Sequence, residues 1–287
     1  LSKNILVTGA AGLIGSHVAQ ALLALGDSVV GLDNLNDYYD PARKRANLSE
    51  IRNSNSEIRN FHFIKGDIRD RALISRLFTE YRFDAIVHLA AMAGVRVSIK
   101  DPAIYYDVNL NGTLVLFDAA VGRLTSNLQR ANLPTFVFAS TSSVYGLRGR
   151  PDMMAYKVAE NIYFGREVPL YNIGQMYRDW ACIDDIVKGV LAAVDRPLGY
   201  DVINLGRGEP VLLADFVRFI EELTGRNGHL VPPRMPEGDI PYTYADISKA
   251  RRLLGYNPTI SVQEGMAHFL EWYEKAVLGG NKLEAEA

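Results

Sequence analysis

Short apolar runs alternate with longer amphipathic stretches through the first half of the chain. The runs at 4–8 (NILVT), 28–32 (SVVGL), 61–64 (FHFI), 84–90 (DAIVHLA) and 135–140 (TFVFAS) are β-branched and apolar without polar alternation. That is the pattern of parallel strands covered on both faces. Helical periodicity fills the intervals at Leu13–Leu25, about Asp70–Tyr81 and Ala103–Val121. A βαβ series of this kind predicts a doubly wound parallel sheet, with right-handed crossovers bringing all strand carboxyl ends to one ligand-binding edge.

The second half has a different texture. Residues 184–197 (DDIVKGVLAAVDRP) read as a helix capped by Asp184, and 201–206 (DVINLG) as a strand that rejoins the first sheet. The amphipathic stretch at 212–225 stops at Gly225, and helices at 247–256 and 262–276 close the pattern. The mixture predicts a smaller mixed α/β lobe.

Composition narrows the class. The 287 residues are 48% hydrophobic, enough for a large core as one elaborated domain or two. A net charge of −2 and a pI near 6.3 advertise neither a nucleic-acid nor an anionic-membrane partner. Cys182 is the only cysteine, so no disulfide forms within the chain, which fits a reducing, cytoplasmic setting. The first strand begins after three residues, so no leader is expected, and no apolar run approaches the roughly 20 residues of a membrane span. No metal site is expected. The last ten residues, 278–287, read as a solvated tail.

The chemistry starts at VTGAAGLIG, where Gly9, Gly12 and Gly15 fall at three-residue spacing between the first strand and the first helix. Glycines there allow a tight turn, approach of backbone to a pyrophosphate, and close helix–strand packing. Ala11, Leu13 and Ile14 complete the loop, and the helix start adds N–H groups and partial positive charge. A plain structural turn uses the same glycines. Asp33 adds weight: it ends the second strand 18 residues beyond Gly15, where a carboxylate accepts both hydroxyls of an adenosine ribose and repels a 2′-phosphate. The alternative for Asp33 is a turn former. NAD is therefore favoured over NADP. Asn34 follows Asp33; Asp67 and Ile68 end the third strand, with Asp67 in reach of an adenine amino group. Leu89, Ala90 and Ala91 end the fourth strand with small side chains that suit a flat cofactor, or ordinary packing, equally well. This makes 1–146 the NAD-binding, Rossmann-type domain and 147–277 mainly a substrate lobe, with 184–206 returning to the first.

Together GxxGxxG, HLAA, NLNGT, STSSVYG and YRDWACIDDIV stand in the order found in a known family. The chain resembles the extended short-chain dehydrogenase/reductases, and among them the NAD-dependent nucleotide-sugar epimerases, from Asn4 to about Val277. The resemblance implies a tightly bound NAD that takes hydride from carbon 4 of a sugar and returns it to the opposite face. It places Asn109 of NLNGT at the cofactor and implies a homodimer through paired helices, one of them Ala103–Val121. A tyrosine with a lysine four residues on serves as base in such enzymes, the lysine and nicotinamide lowering its pKa. A strand-end hydroxyl holds the sugar; its counterpart is Thr141, beside Ser142 and Ser143. Hydroxyls there also cap turns.

The match departs from the family at one point. None of the fifteen tyrosines has a lysine four residues later. Tyr156 and Lys157 are adjacent, about 100° apart on a helix, and cannot form that pair. Gly146 is followed almost at once by RGRPDMM, although a parallel return needs a dozen or more residues and the family has roughly fifty here, carrying the Tyr-x-x-x-Lys helix and a sixth strand. A segment of that size is expected to be missing from the chain as read.

For the sugar, NDYYDPARKRANL, AGVRVS, GRPDMM and GDIPYTYADISKARRLLGY are closest to UDP-glucuronate 4-epimerases. UDP-glucose 4-epimerases have Arg-Pro-Gly-Asp where this chain has Pro236-Glu237-Gly238-Asp239. By likeness Arg150 meets the hexuronate carboxylate with its planar fork, Arg178 the diphosphate, Asp239 the uridine part, and Arg96 of AGVRVS the substrate. Surface ion pairs are the alternative for these arginines. The 4-keto uronate is a β-keto acid, so UDP-glucuronate decarboxylase is the nearest rival, followed by UDP-glucose 4-epimerase, a cofactor-releasing reductase and a noncatalytic dinucleotide-binding protein.

Overall fold

The structure, a computed structural model, describes residues 2–53, 60–122, 133–140, 153–233 and 241–279. These cluster into two compact units: Leu1–Ser142 with Val190–Gly199, and Ser143–Gly189 with Tyr200–Ala287.

The first unit is built on a five-stranded parallel sheet, in the order β3 (Phe61–Lys65), β2 (Ser28–Asp33), β1 (Asn4–Thr8), β4 (Ala85–His88) and β5 (Thr135–Phe138). Register runs Ile5 to Val29 on one side of β1 and Ile5 to Ala85 on the other. Apolar runs become strands here because both faces are covered. Helices α1 (Leu13–Ala24) and α2 (Pro41–Asn53) pack together, α1 also lying on β1 and β2. Leu6, Val30, Leu32 and Ile86 join Ile74, Leu77 and Phe78 of α3 (Arg71–Glu80) and Val115, Leu116 and Ala119 in one buried cluster. Asp70 caps α3, its Oδ1 accepting the N–H groups of Ala72 and Leu73 at 3.0 Å, as expected of a carboxylate at that position.

The helix predicted over 103–121 is present with an irregular middle. After α4 (Val95–Lys100), α5 (Pro102–Tyr106) runs into a widened π turn at Asp107–Gly112 and on into α6 (Thr113–Ala120). Gly112 passes so close to Ile68 that a Cβ would stand 2.6 Å from its Cδ1.

The second unit has α7 (Met154–Tyr163), α9 (Leu213–Thr224) and α11 (Val262–Tyr273) around a core that includes Val158, Ile162, Phe216, Ile220, Met266 and Phe269. Two short ladders accompany them: β6 (Glu167–Pro169) parallel to β9 (His229–Val231), and β7 (Tyr177–Arg178) antiparallel to β8 (Val211–Leu212). Gly225 and Gly255 end α9 and α10 (Ser248–Leu254) at φ of 65° and 67°, the left-handed stop that glycine permits.

Two expectations are corrected. The helix begins at Ile183 (α8, Ile183–Asp195), so Asp184 sits inside its first turn beside Asp185 rather than capping it. Residues 201–206 form no strand. The first sheet ends at β5 among the described residues. Residues 190–199 do cluster with the first unit.

Candidate functional site

The edge formed by the carboxyl ends of β1 to β4 gathers most of the predicted residues. β1 stops at Thr8 and Gly9 turns the chain with φ +70°; a Cβ there would lie 2.9 Å from Ala90 N. Conformation and space both exclude a side chain. Gly9 N–H donates to Leu32 O at 2.8 Å and Gly12 N–H to Gly9 O at 2.9 Å. At Gly15 a Cβ would come within 2.1 Å of Gly9 O, so α1 rests directly on the turn. No acidic residue occupies the first turn of α1. Its opening N–H groups, those of Leu13, Ile14 and Gly15 among them, keep their positive field for an anion.

Asp33 ends β2 with a buried carboxylate. Oδ2 accepts Ala11 N–H at 3.1 Å and Oδ1 accepts Leu35 N–H at 2.8 Å. Each oxygen has a second lone pair, so the backbone bonds hold the acid without exhausting it. Helix α2, which the sequence pattern did not predict, braces this corner. Lys44 Nζ stands 3.9 Å from Asp33 Oδ1, the two side chains being 7% and 8% exposed. It donates to Asn36 Oδ1 at 2.7 Å and lies 5.0 Å from the Tyr39 ring centre. Burial pushes the Lys44 ammonium below its ordinary pKa, while Asp33 and Asp37 pull it back. Asn47 donates from the same helix to Ala11 O at 2.8 Å.

Asn34 and Asp67 meet, Nδ2 to Oδ2 at 3.0 Å. Arg69 forks onto both oxygens of Asp67 at 2.9 Å and holds its carboxyl down at about 2. Ile68 is buried. Beyond β4, Ala90 is half-buried and Ala91 exposed, so this stretch has a bare backbone surface. Asn109, expected at the cofactor, is engaged with the loop after β4. Its Oδ1 accepts Met92 N–H at 2.8 Å and its Nδ2 donates to Met92 O at 2.9 Å, so the amide clamps the loop after β4. Tyr38 and Tyr105 both donate to Ala93 O, at 2.6 and 2.9 Å.

Of the sugar-side residues, Arg178 lies in β7 with Nη1 donating to Tyr177 O at 2.9 Å. Arg96 belongs to α4, and only its backbone is described. Thr141, Ser142, Ser143, Arg150 and Asp239 all lie outside the described residues, as does the junction at Gly146. Tyr156 is a core residue, its ring edge-on to Phe269 and Tyr273, while Lys157 is exposed. Lys44 is the residue that sequence reasoning missed. Its signal was the Asp40–Pro41 cap, where Ala42 N–H reaches Asp40 Oδ1 at 2.8 Å, followed by burial at Lys44, Leu48 and Ile51.

Comparison with known proteins gives a consistent picture. A family model described as GDP-mannose 4,6 dehydratase matches residues 6–154. An uncharacterized protein of Methanocaldococcus jannaschii is 35% identical, covering 94% of this chain and 96% of its own length. UDP-glucuronate 4-epimerase of Thermodesulfobacterium geofontis is 34% identical, covering 95% and 96%. That alignment spans 316 positions, whereas 95% of 287 residues is about 273, so roughly forty positions of the relative have no counterpart here. Among solved structures, the UDP-glucuronic acid 4-epimerase from Bacillus cereus in complex with UDP-glucuronic acid and NAD matches with TM-score 0.82 at 28% identity, over 95% of this chain and 99% of that one.

Proposed function

Because the chain belongs to the extended short-chain dehydrogenase/reductase family of NAD-dependent sugar-nucleotide epimerases and dehydratases, we propose that it is a UDP-glucuronate 4-epimerase, an isomerase interconverting UDP-glucuronate and UDP-galacturonate. The carrying observation is the Asp33 carboxylate, held at the glycine turn by Ala11 and Leu35 N–H groups, in a chain 34% identical along 95% of its length to such an enzyme.

The residues present fit NAD. The turn at Gly9 and the contact at Gly15 leave no space for a Cβ, the start of α1 has unneutralised N–H groups for the diphosphate, and Asp33 has lone pairs for the ribose diol. When bound, NAD supplies hydride acceptance from sugar carbon 4 and its return to the other face through a transient 4-keto sugar. The chain's own groups orient and retain. In this reading Thr141, with Ser142 and Ser143, hydrogen-bonds the 4-hydroxyl, and Arg150 forks onto the uronate carboxylate and keeps it from the angle that favours loss of carbon dioxide. Arg178 faces the diphosphate, Asp239 the uridine, and Arg96 the substrate; 147–277 is mainly the UDP-sugar lobe.

One observation favours a second reading. The chain has no tyrosine with a lysine four residues on, and the two described tyrosines nearest in type, Tyr156 and Tyr163, are committed elsewhere. Tyr156 is in a core and the Tyr163 hydroxyl is bonded to Glu274, its pKa raised by burial and that carboxylate. The second reading is a protein that binds NAD and the nucleotide sugar without turnover. One experiment separates them: incubate purified chain with UDP-glucuronate and no added cofactor, follow products chromatographically, and measure acid-released dinucleotide. UDP-galacturonate without carbon dioxide supports the epimerase; bound NAD without product selects the second reading. UDP-pentose convicts a decarboxylase, and a chain free of dinucleotide defeats both.

We infer a homodimer as well, as the family resemblance implies. Tyr106, Leu110, Leu114, Phe117 and Val121 are all exposed along one stripe of the α5–α6 helix, which supports a homodimer through that face. Light scattering after gel filtration checks the mass. No helix among the described residues is long and apolar enough to cross a membrane. A single cysteine, Cys182, leaves no disulfide to form within the chain, which supports placement in the reducing cytoplasm.

A further inference from the structure

His88 is 1% exposed, and both its ring nitrogens are engaged: Nδ1 lies 2.7 Å from Thr8 Oγ1 and Nε2 lies 2.9 Å from Thr113 Oγ1. Proton accounting fixes the direction of the chain. The Thr113 hydroxyl donates to Asn109 O at 2.7 Å, so its oxygen is free only to accept, and Nε2 must have the proton. Nδ1 then accepts from the Thr8 hydroxyl. The Thr8 oxygen in turn accepts the N–H groups of Leu89 and Ala90, each at 3.2 Å. Phe138 stacks on the ring at 5.3 Å and Phe136 meets it edge-on at 6.0 Å.

The ring thereby joins three separate pieces of the cradle. Thr8 leads into the Gly9 turn; Leu89 and Ala90 form the backbone beyond β4; Asn109 clamps Met92 further along the same loop. The gap between turn and loop has no slack, since a Cβ on Gly9 would already lie 2.9 Å from Ala90 N. Burial alone pushes the imidazole down to about 4, so it stays neutral at working pH and keeps one donor and one acceptor.

We propose that His88 is a positioning residue for the dinucleotide: its Nε2–H tautomer, locked between Thr8 and Thr113, sets the separation of the Gly9 turn from the Leu89–Ala90 backbone. The inference rests on NAD occupying that edge and is independent of turnover. The test is nitrogen NMR of the imidazole together with NAD affinity by calorimetry. Wild-type protein shows His88 with Nε2 protonated and Nδ1 bare from pH 6 upward. Thr113→Val weakens NAD binding about fivefold, the worth of one hydrogen bond, and Thr113→Ser restores it. A wild-type ring protonated on Nδ1, or on both nitrogens at pH 7, overturns the proposal whether or not the variants fold. So does Thr113→Val binding NAD as tightly as wild type. Intact NAD binding with no turnover counts against the proposed activity alone.

Discussion

Replacing Asp33 by Asn changes one charge and almost no volume, so its cost can be traced to a single neighbour. Lys44 Nζ loses a carboxylate 3.9 Å away in a corner where both side chains are nearly closed to water. At an effective dielectric near 20 the Coulomb attraction across that distance is about 4 kcal/mol before desolvation. Stranding one member of a buried pair costs about 3–5 kcal/mol. Lys44 keeps Asn36 Oδ1 and the Tyr39 ring, which places the cost at the lower end, about 3 kcal/mol. The sign with pH is fixed. Without Asp33 the folded-state pKa of Lys44 falls further below its ordinary 10.5. The unfolded chain then holds a proton that the folded chain gives up, so stability rises as pH climbs through the window between the two values. Urea unfolding of wild type and Asp33→Asn at pH 7 and pH 9.5 reads both quantities. Isothermal titration with NAD and NADP reads the ribose role, the variant losing its preference for NAD. A cost under about 1 kcal/mol with the wild-type pH slope would refute the Asp33–Lys44 coupling.

Three further outcomes are expected. Gly15→Ala drives a methyl into Gly9 O, whose oxygen is 2.1 Å from the Cβ position; stability drops by about 1–3 kcal/mol and NAD uptake is lost, checked by melting and calorimetry. In acid, His88 resists protonation down to about 4, whereas the unfolded histidine binds its proton near 6.5. Stability therefore falls by about 3 kcal/mol as pH drops through that interval. Asp67, depressed by the Arg69 fork, adds a second loss between its ordinary 3.8 and about 2. Urea midpoints unchanged from pH 7 to pH 4.5 contradict the histidine reading. Tyr156→Ala costs about 3–5 kcal/mol through its lost packing and leaves NAD affinity as it was, whereas Lys157→Ala changes neither. A Tyr156→Ala protein that melts like wild type yet releases NAD sinks the core assignment.

Apolar runs and glycine spacing carried most of the first unit. Strands buried on both faces leave continuous hydrophobic stretches, and the glycines at 9 and 15 reflect contacts that admit no side chain, with Gly12 tightly placed, a Cβ there standing 3.1 Å from Gly9 O. Asp33 was legible because strand length fixes its distance from the turn. Helix α2 was not: its mean character is polar, only Lys44, Leu48 and Ile51 are buried, and its role depends on a lysine turned inward toward an acid on another element. The likeness of NLNGT placed Asn109 at the cofactor; what the motif did not reveal is that its amide, in the π turn, also holds the Met92 backbone. The strand expected at 201–206 failed for a non-local reason. A β-segment needs a neighbour, local propensity does not say whether one is at hand, and none pairs with 201–206 among the described residues.

The sheet's last described strand has a practical corollary. Among the described residues β5 is bonded to β4 along one side, while its other side is an unfinished hem of amides and carbonyls, with uncharged TFVF sequence and Phe138 48% exposed. Such a selvedge recruits whatever extended peptide it meets, itself included. An extended segment laid along that border, from this chain or from a second copy, would complete the ladder, and light scattering against concentration reads which of the two it is.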